Sequence, residues 1–213
     1  SKTYHEVHWT RVAQSILDER LFGVVLVGGK SESHIGEYIE RRVNNPSLIN
    51  LVGKTDLKSL FSTISEAKLF IGCDSGPLQM ASLAGTKCLN LSFASVNFWE
   101  TGPKAPGSRI IYRDLPVDLP PEVVSEEAIS MLAGERAIHS AAEVSDYDKE
   151  YVPLTETKGD FEWELIQSIY LSESLSVRLS PLHRKVFRDL NEINRVCIEK
   201  LSKAIDVKQV TEP

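Results

Sequence analysis

The segment Leu69-Phe-Ile-Gly-Cys-Asp-Ser-Gly-Pro-Leu-Gln-Met-Ala-Ser-Leu-Ala-Gly85 runs from apolar residues through Asp74-Ser75-Gly76 into a short apolar stretch. Read as a buried strand turning into a helix, it is suited to hold an anion. The N–H groups of a helix's first turn have no acceptor within the helix, and the helix dipole adds positive potential there. Gly76 lets the backbone approach a ligand with no Cβ in the way, and Ser75 adds a hydroxyl donor. Asp74 has a different chemistry. A carboxylate repels phosphate but accepts hydrogen bonds from sugar hydroxyls beside a diphosphate. The alternative is that Asp74 or Ser75 caps the helix, and residue chemistry alone leaves both readings open.

Other constellations are weaker. Asp146-Tyr147-Asp148 has the Asp-x-Asp form of a metal-binding turn, but it lies in a polar stretch rather than after a buried strand, so it reads as a solvated loop. His5, His8, His34, His139 and His183 show no zinc-type pairing with cysteine or carboxylate, and no metal is expected. Gly28-Gly29 lacks the rest of a Gly-x-Gly-x-x-Gly fingerprint, and no Gly-x-Ser-x-Gly elbow is present.

The elements that must position these residues follow from periodicity. Trp9, Val12, Ala13, Ile16 and Leu17 recur at helical spacing, Gly23 breaks the pattern, and Val24 to Val27 form a compact apolar run. Ile35, Tyr38, Ile39 and Val43 predict a second helix, Leu48 to Val52 a strand, and Leu57, Leu60, Phe61 and Ile64 a third helix. Strand Lys68 to Cys73, helix Leu78 to Ala84 and strand Lys87 to Leu91 continue the alternation. It implies an α/β fold: a parallel sheet covered by helices on both faces. A Gly- and Pro-rich loop follows, then a strand at Arg109 to Tyr112 and a closing helix, Val123 to Leu132, ending at Gly134. The predicted organisation is a domain over residues 1–134, a polar linker over 135–159 and a helical extension over 160–206. Phe161, Leu165, Ile166, Ile169 and Tyr170 mark the first helix of that extension, and Leu182, Val186, Leu190, Ile193, Cys197 and Leu201 the second.

Of the 213 residues 42% are hydrophobic and 25% charged, enough apolar content for a core. The net charge of −6 argues against broad binding to nucleic acid. Cys73, Cys88 and Cys197 are widely spaced, as suits a reducing, cytoplasmic setting. No apolar run approaches the roughly 20 residues of a membrane span.

In its order of motifs the sequence resembles glycosyltransferase family nine, the family of the ADP-heptose:lipopolysaccharide heptosyltransferases. The family pattern is an apolar strand, Asp-Ser/Thr-Gly, two variable residues, then His, an apolar residue and Ala; Asp74, Ser75, Gly76 and Ala81 match it. Leu51-Val-Gly-Lys-Thr-Asp-Leu57 resembles the family's strand-Gly-x-Thr-x-Leu segment, and Val25-Leu-Val-Gly-Gly29 with Glu32 its strand and acidic turn. The resemblance covers residues 1–133. It implies the second, Rossmann-like half of a GT-B fold, with the donor diphosphate at Ser75 and Gly76 and the donor sugar at Asp74. Lys2, in a Lys-x-aromatic segment, would neutralise the diphosphate; the alternative is a frayed terminal lysine. Glu32 would meet the ribose hydroxyls or merely favour a helix's first turn. Lys54 and Thr55 would border the base, unless Thr55 caps the helix near Leu57. Glu100-Thr101-Gly102 resembles a variant's donor-side loop, or is plain surface. Gln79 stands where many members have His.

The resemblance thus implies transfer of a sugar, a heptose from an ADP-linked donor, to a saccharide acceptor of lipopolysaccharide type. The nucleotide sugar is a substrate, and no cofactor is expected. The catalytic base is expected in an amino-terminal domain of the same enzyme, which no part of this chain resembles. The expected location is the cytoplasm, at the inner membrane face, with peripheral contact through the acceptor. A nucleotide-sugar epimerase of similar build and a non-catalytic nucleotide-binding or assembly module are the alternatives. Further residues of the native fold are also expected upstream, leaving a slot between the strands near Val25 and Phe70; the alternative is that Val24 to Val27 is the first strand and the sheet is simply smaller.

Overall fold

The computed structural model describes residues 3–93, 96–145 and 151–153, with seven helical positions between 189 and 200. The chain divides into two compact units, the first being Ser1–Lys158 with Ile169–Leu171 and the second Gly159–Ser168 with Ser172–Pro213.

The first unit alternates as its periodicity predicts. Helix α1 (Glu6–Asp18) leads to β1 (Val24–Leu26), α2 (Ser33–Val43) to β2 (Leu48–Asn50), and α3 (Leu57–Ser65) to β3 (Phe70–Cys73). Then come α4 (Gly76–Ala84), β4 (Cys88–Phe93), a short α5 (Phe98–Thr101), β5 (Arg109–Arg113) and α6 (Pro121–Ala133). Helix α6 ends at Gly134 in the left-handed region, φ 74°, where a residue with a Cβ is penalised.

Strands β3, β4 and β5 pair in parallel, as do β1 and β2. Helices cover both faces. Val12 and Ile16 of α1 and Val124, Ala128 and Met131 of α6 pack with Leu89 and Leu91 on one side, and α2 joins α1 there through Ile39 and Val43. On the other, Leu60 and Ile64 of α3 meet Leu78 and Ala81 of α4 over Cys88. Alternate β4 residues therefore serve opposite layers. All six are buried, as a strand covered on both faces requires.

Two features depart from expectation. Residues 142–144 and 151–153, within the predicted linker, form β6 (Ala142–Val144) and β7 (Tyr151–Pro153), which extend the sheet antiparallel beyond β5. The sheet is mixed, in the order β3-β4-β5-β6-β7. Three-residue strands are too short to show periodicity, so the polar composition of the stretch hid them. Second, the irregular loop after β4 contains α5, whose start Asn97 caps by accepting from the Trp99 N–H.

Strands β1 and β2 form a separate two-stranded sheet, so β1 and β3 share no ladder and an interruption lies between them. Yet Val24 of β1 and Ile71 of β3 pack against the same cluster under α1, and Val27 and Phe70 against the same cluster under α3 and α4. The expected slot thus coincides with two strand edges unpaired among the described residues.

Of the predicted carboxy-terminal helices, the first lies outside the described residues. Within the span of the second, Arg195 pairs with Glu192 and Glu199 at helical spacing. Asp146-Tyr147-Asp148 also lies outside the described residues.

Candidate functional site

The Asp74-Ser75-Gly76 turn joins β3 to α4 as predicted. Ser75 is the N-cap residue of α4, but its side chain makes no capping hydrogen bond, so the capping reading of Ser75 fails. The helix ladder starts at Gln79, whose N–H donates to the Ser75 carbonyl. Pro77 has no N–H, which leaves Gly76 and Leu78 as the first-turn donors. Among the described residues a Cβ on Gly76 would meet nothing within 4 Å beyond the adjoining backbone, and its φ is not in the left-handed region. Neither packing nor backbone geometry inside the chain demands a glycine there. Ser75 and Gly76 are exposed and Asp74 half-buried, so the turn is open to solvent. Burial pushes the Cys73 thiol just below it up to about 11, the Asp74 charge adding to the effect.

The Tyr4 backbone N–H faces the Cys73 sulfur, and the Tyr4 hydroxyl donates to the Leu119 carbonyl at 2.9 Å. The residues entering α1 are therefore fastened at the carboxyl end of β3, next to Asp74. Lys2, two residues earlier, lies outside the described residues.

Beside this turn runs the loop after β4. The Gln79 amide donates to the Thr101 carbonyl, and the Ser82 hydroxyl accepts from the Lys104 N–H at 2.6 Å. Glu100 is exposed on α5. Gly102 is buried, and a Cβ there would overlap the Tyr151 hydroxyl and the Phe98 carbonyl. Its role is thus internal close approach, which removes it from the set facing a ligand. Tyr151 of β7 donates to the Pro103 carbonyl at 2.8 Å, and the Lys104 ammonium lies 4.2 Å from the centre of its ring. The same ammonium donates to the Trp99 carbonyl, and burial lowers its pKa.

The remaining predicted residues cluster after β1 and β2. Glu32 accepts from the Gly29 N–H at 2.7 Å, reaching back to the residue that caps the 3-10 helix Lys30–Glu32. One of its oxygens is thereby occupied locally. The Lys54 ammonium donates to the Asn50 carbonyl at 2.9 Å. Asp56, not Thr55, caps α3 by accepting from the Ser59 N–H, so the capping reading of Thr55 also fails. The Gly53 N–H donates to the Gly28 carbonyl, tying the two loops together. The structure therefore gathers the predicted residues into two groups, one over β1 and β2 and one over β3 and β4.

Sequence reasoning missed Tyr151, Ser82 and Lys104 as supports of the loop. Only the loop's Gly and Pro content signalled it. Tyr151 gave no signal, since its partners lie far away in sequence.

A family model described as glycosyltransferase family 9 (heptosyltransferase) matches residues 1–117. No curated protein gives a match. Among solved structures, ADP-heptose lps heptosyltransferase II of E. coli is similar at 24% identity and TM-score 0.57, over 62% of this chain and 43% of its own. A glycosyl transferase family 9 structure from Veillonella parvula DSM 2008 is similar at 18% identity and TM-score 0.54, over 63% of this chain and 43% of its own. The match thus spans less than half the length of either neighbour. No helix among the described residues is long and apolar enough to cross a membrane.

Proposed function

The chain belongs to glycosyltransferase family 9, and from that premise we propose that it is the donor-binding half of an enzyme transferring a sugar from a nucleotide diphosphate to a saccharide acceptor. The proposed donor is an ADP-linked heptose and the proposed acceptor is of lipopolysaccharide type, met at the inner face of the cytoplasmic membrane. The observation that carries this reading is the open start of α4. Its first-turn N–H groups have no side-chain cap, and among the described residues nothing beyond the adjoining backbone lies within 4 Å of a Cβ on Gly76.

In the proposed chemistry the bond from the anomeric carbon to the diphosphate breaks as the acceptor oxygen bonds to that carbon. Negative charge grows on the departing diphosphate. The Gly76 and Leu78 N–H groups, fixed beforehand by the helix, would stabilise it without reorganisation. Lys2 would add a positive charge beside them, and Asp74 would accept from hydroxyls of the sugar. Glu32, with one oxygen on the Gly29 N–H, keeps the other for a ribose hydroxyl, and Lys54 and Thr55 would border the base. An amino-terminal domain of the same enzyme would supply the base that deprotonates the acceptor. A strand from that domain's side of the polypeptide would fill the interruption between β1 and β3. No metal or other cofactor enters this scheme.

One observation favours a second reading, a module that binds nucleotide without transferring sugar: Gln79 replaces a group able to carry positive charge and its amide is engaged by Thr101. Assay of the complete enzyme with ADP-linked heptose separates the two. Sugar on the acceptor, with none released in its absence, supports transfer. Binding without turnover supports the module, and epimerised donor would indicate an epimerase.

A further inference from the structure

The loop Thr101–Lys104 is fastened on two sides. Toward β7 it is held by the Tyr151 hydroxyl on the Pro103 carbonyl, by Lys104 over the Tyr151 ring, and by the close approach of Tyr151 to Gly102. Toward α4 it is held by Gln79 on the Thr101 carbonyl and Ser82 on the Lys104 N–H. Residues 79 and 82 share a face of α4. Helix and loop therefore run alongside each other, with Gln79 at the end next to Asp74-Ser75-Gly76. A carbonyl accepts only, so this contact requires the NH2 group of the amide at Thr101. Gln79 is exposed, and no core packing fixes what stands there.

We propose that Gln79 is a positioning residue that sets donor-sugar selectivity: by donating to the Thr101 carbonyl it holds Glu100 and Thr101 beside the Asp74-Ser75-Gly76 turn, where their acceptor atoms read the sugar hydroxyls. This inference rests on the donor-site reading above. Glu100 supplies the charged acceptor, because α5 exposes it while Asn97 and Gly102 pin the helix at both ends. A side chain at 79 that cannot donate frees the near end of the loop and leaves the Tyr151 side attached.

Hydrogen exchange and kinetics on the complete enzyme test this with Gln79→Leu, Gln79→Glu and Gln79→His. Loss of one hydrogen bond should speed exchange at the Thr101 and Gly102 amides about fivefold in Gln79→Leu. Gln79→Glu should do so at least as much, since its carboxylate faces a carbonyl. Gln79→His retains an N–H donor and should restore protection. In Gln79→Leu the KM for donor should rise while the acceptor KM holds, and the preference for ADP-heptose over ADP-glucose should narrow by a similar factor. Unchanged exchange in both Gln79→Leu and Gln79→Glu overturns the proposal, as does faster exchange with unaltered donor preference. If wild type fails to bind ADP, the donor-site reading itself falls and takes this inference with it. Bound ADP with an indifferent loop overturns the role of Gln79 alone.

Discussion

Arg109 Nη1 lies 2.9 Å from Glu127 Oε1, both side chains buried, at the seam where parallel β5 meets antiparallel β6. The other Glu127 oxygen accepts from the Ile138 and His139 N–H groups, and Arg109 also reaches the Ser130 hydroxyl and the Glu135 carbonyl. One carboxylate therefore joins β5, α6 and the turn that delivers β6.

Replacing Glu127 by Gln leaves the buried Arg109 guanidinium with Glu143, 3.8 Å from its Nε, as its remaining counter-charge, and should cost up to about 3–5 kcal/mol in denaturant unfolding. The pH dependence has a definite sign. Burial pushes the Glu127 carboxyl up, but donation from the His139 and Ile138 N–H groups and from Arg109, with the Ser140 hydroxyl nearby, outweighs it and holds the group below its ordinary value. A pKa lower in the folded state means its contribution is full above the unfolded glutamate value, about 4.3, and is lost as pH falls through the folded one. Wild type should lose stability on that descent more steeply than Glu127→Gln. Equal slopes would contradict this.

Gly102 and Tyr151 should prove coupled. Gly102→Ala sets a methyl against the Tyr151 hydroxyl and the Phe98 carbonyl, an overlap of about 1–3 kcal/mol. Tyr151→Phe removes the donor to the Pro103 carbonyl, about 1 kcal/mol. With the hydroxyl gone the alanine meets one obstacle fewer, so the double variant should cost less than the sum. Strict additivity in thermal melts would show that the two do not touch.

The parts of this fold with long, regular patterns were legible in the sequence. Helix α1 follows from Val12, Ala13, Ile16 and Leu17, all buried, and β4 from an apolar run of the right length. The Asp74-Ser75-Gly76 junction was legible because an apolar strand, a glycine and a helix-starting proline coincide there. Strands β6 and β7 were not, because three residues carry no period and Tyr151 owes its burial to Phe98, Trp99 and Pro103, about 50 residues earlier. Glu127 carries no signal in the sequence, because its partner Arg109 is 18 residues away and meets it only in the fold. Gly102 looked like a ligand-facing glycine for the same reason: its neighbour arrives from a distant strand.

Gly76 should behave oppositely to Gly102. Among the described residues nothing beyond the adjoining backbone lies within 4 Å of its missing Cβ, so Gly76→Val should shift the melting temperature little. Branched carbon over the first turn should nonetheless keep a diphosphate from the N–H groups, weakening ADP binding at least about tenfold. A large loss of stability with unchanged affinity, by melting and calorimetry, would mean the glycine serves the fold instead.

The most direct measurement is an amide NMR titration of the chain with ADP, with AMP as the control. If the start of α4 holds the diphosphate, the Ser75, Gly76 and Leu78 amide signals move with ADP, and move much less with AMP, which has no β-phosphate to place there. Signals at Gly76 and Leu78 that stay still while ADP binds elsewhere, or that respond equally to AMP, would contradict the account.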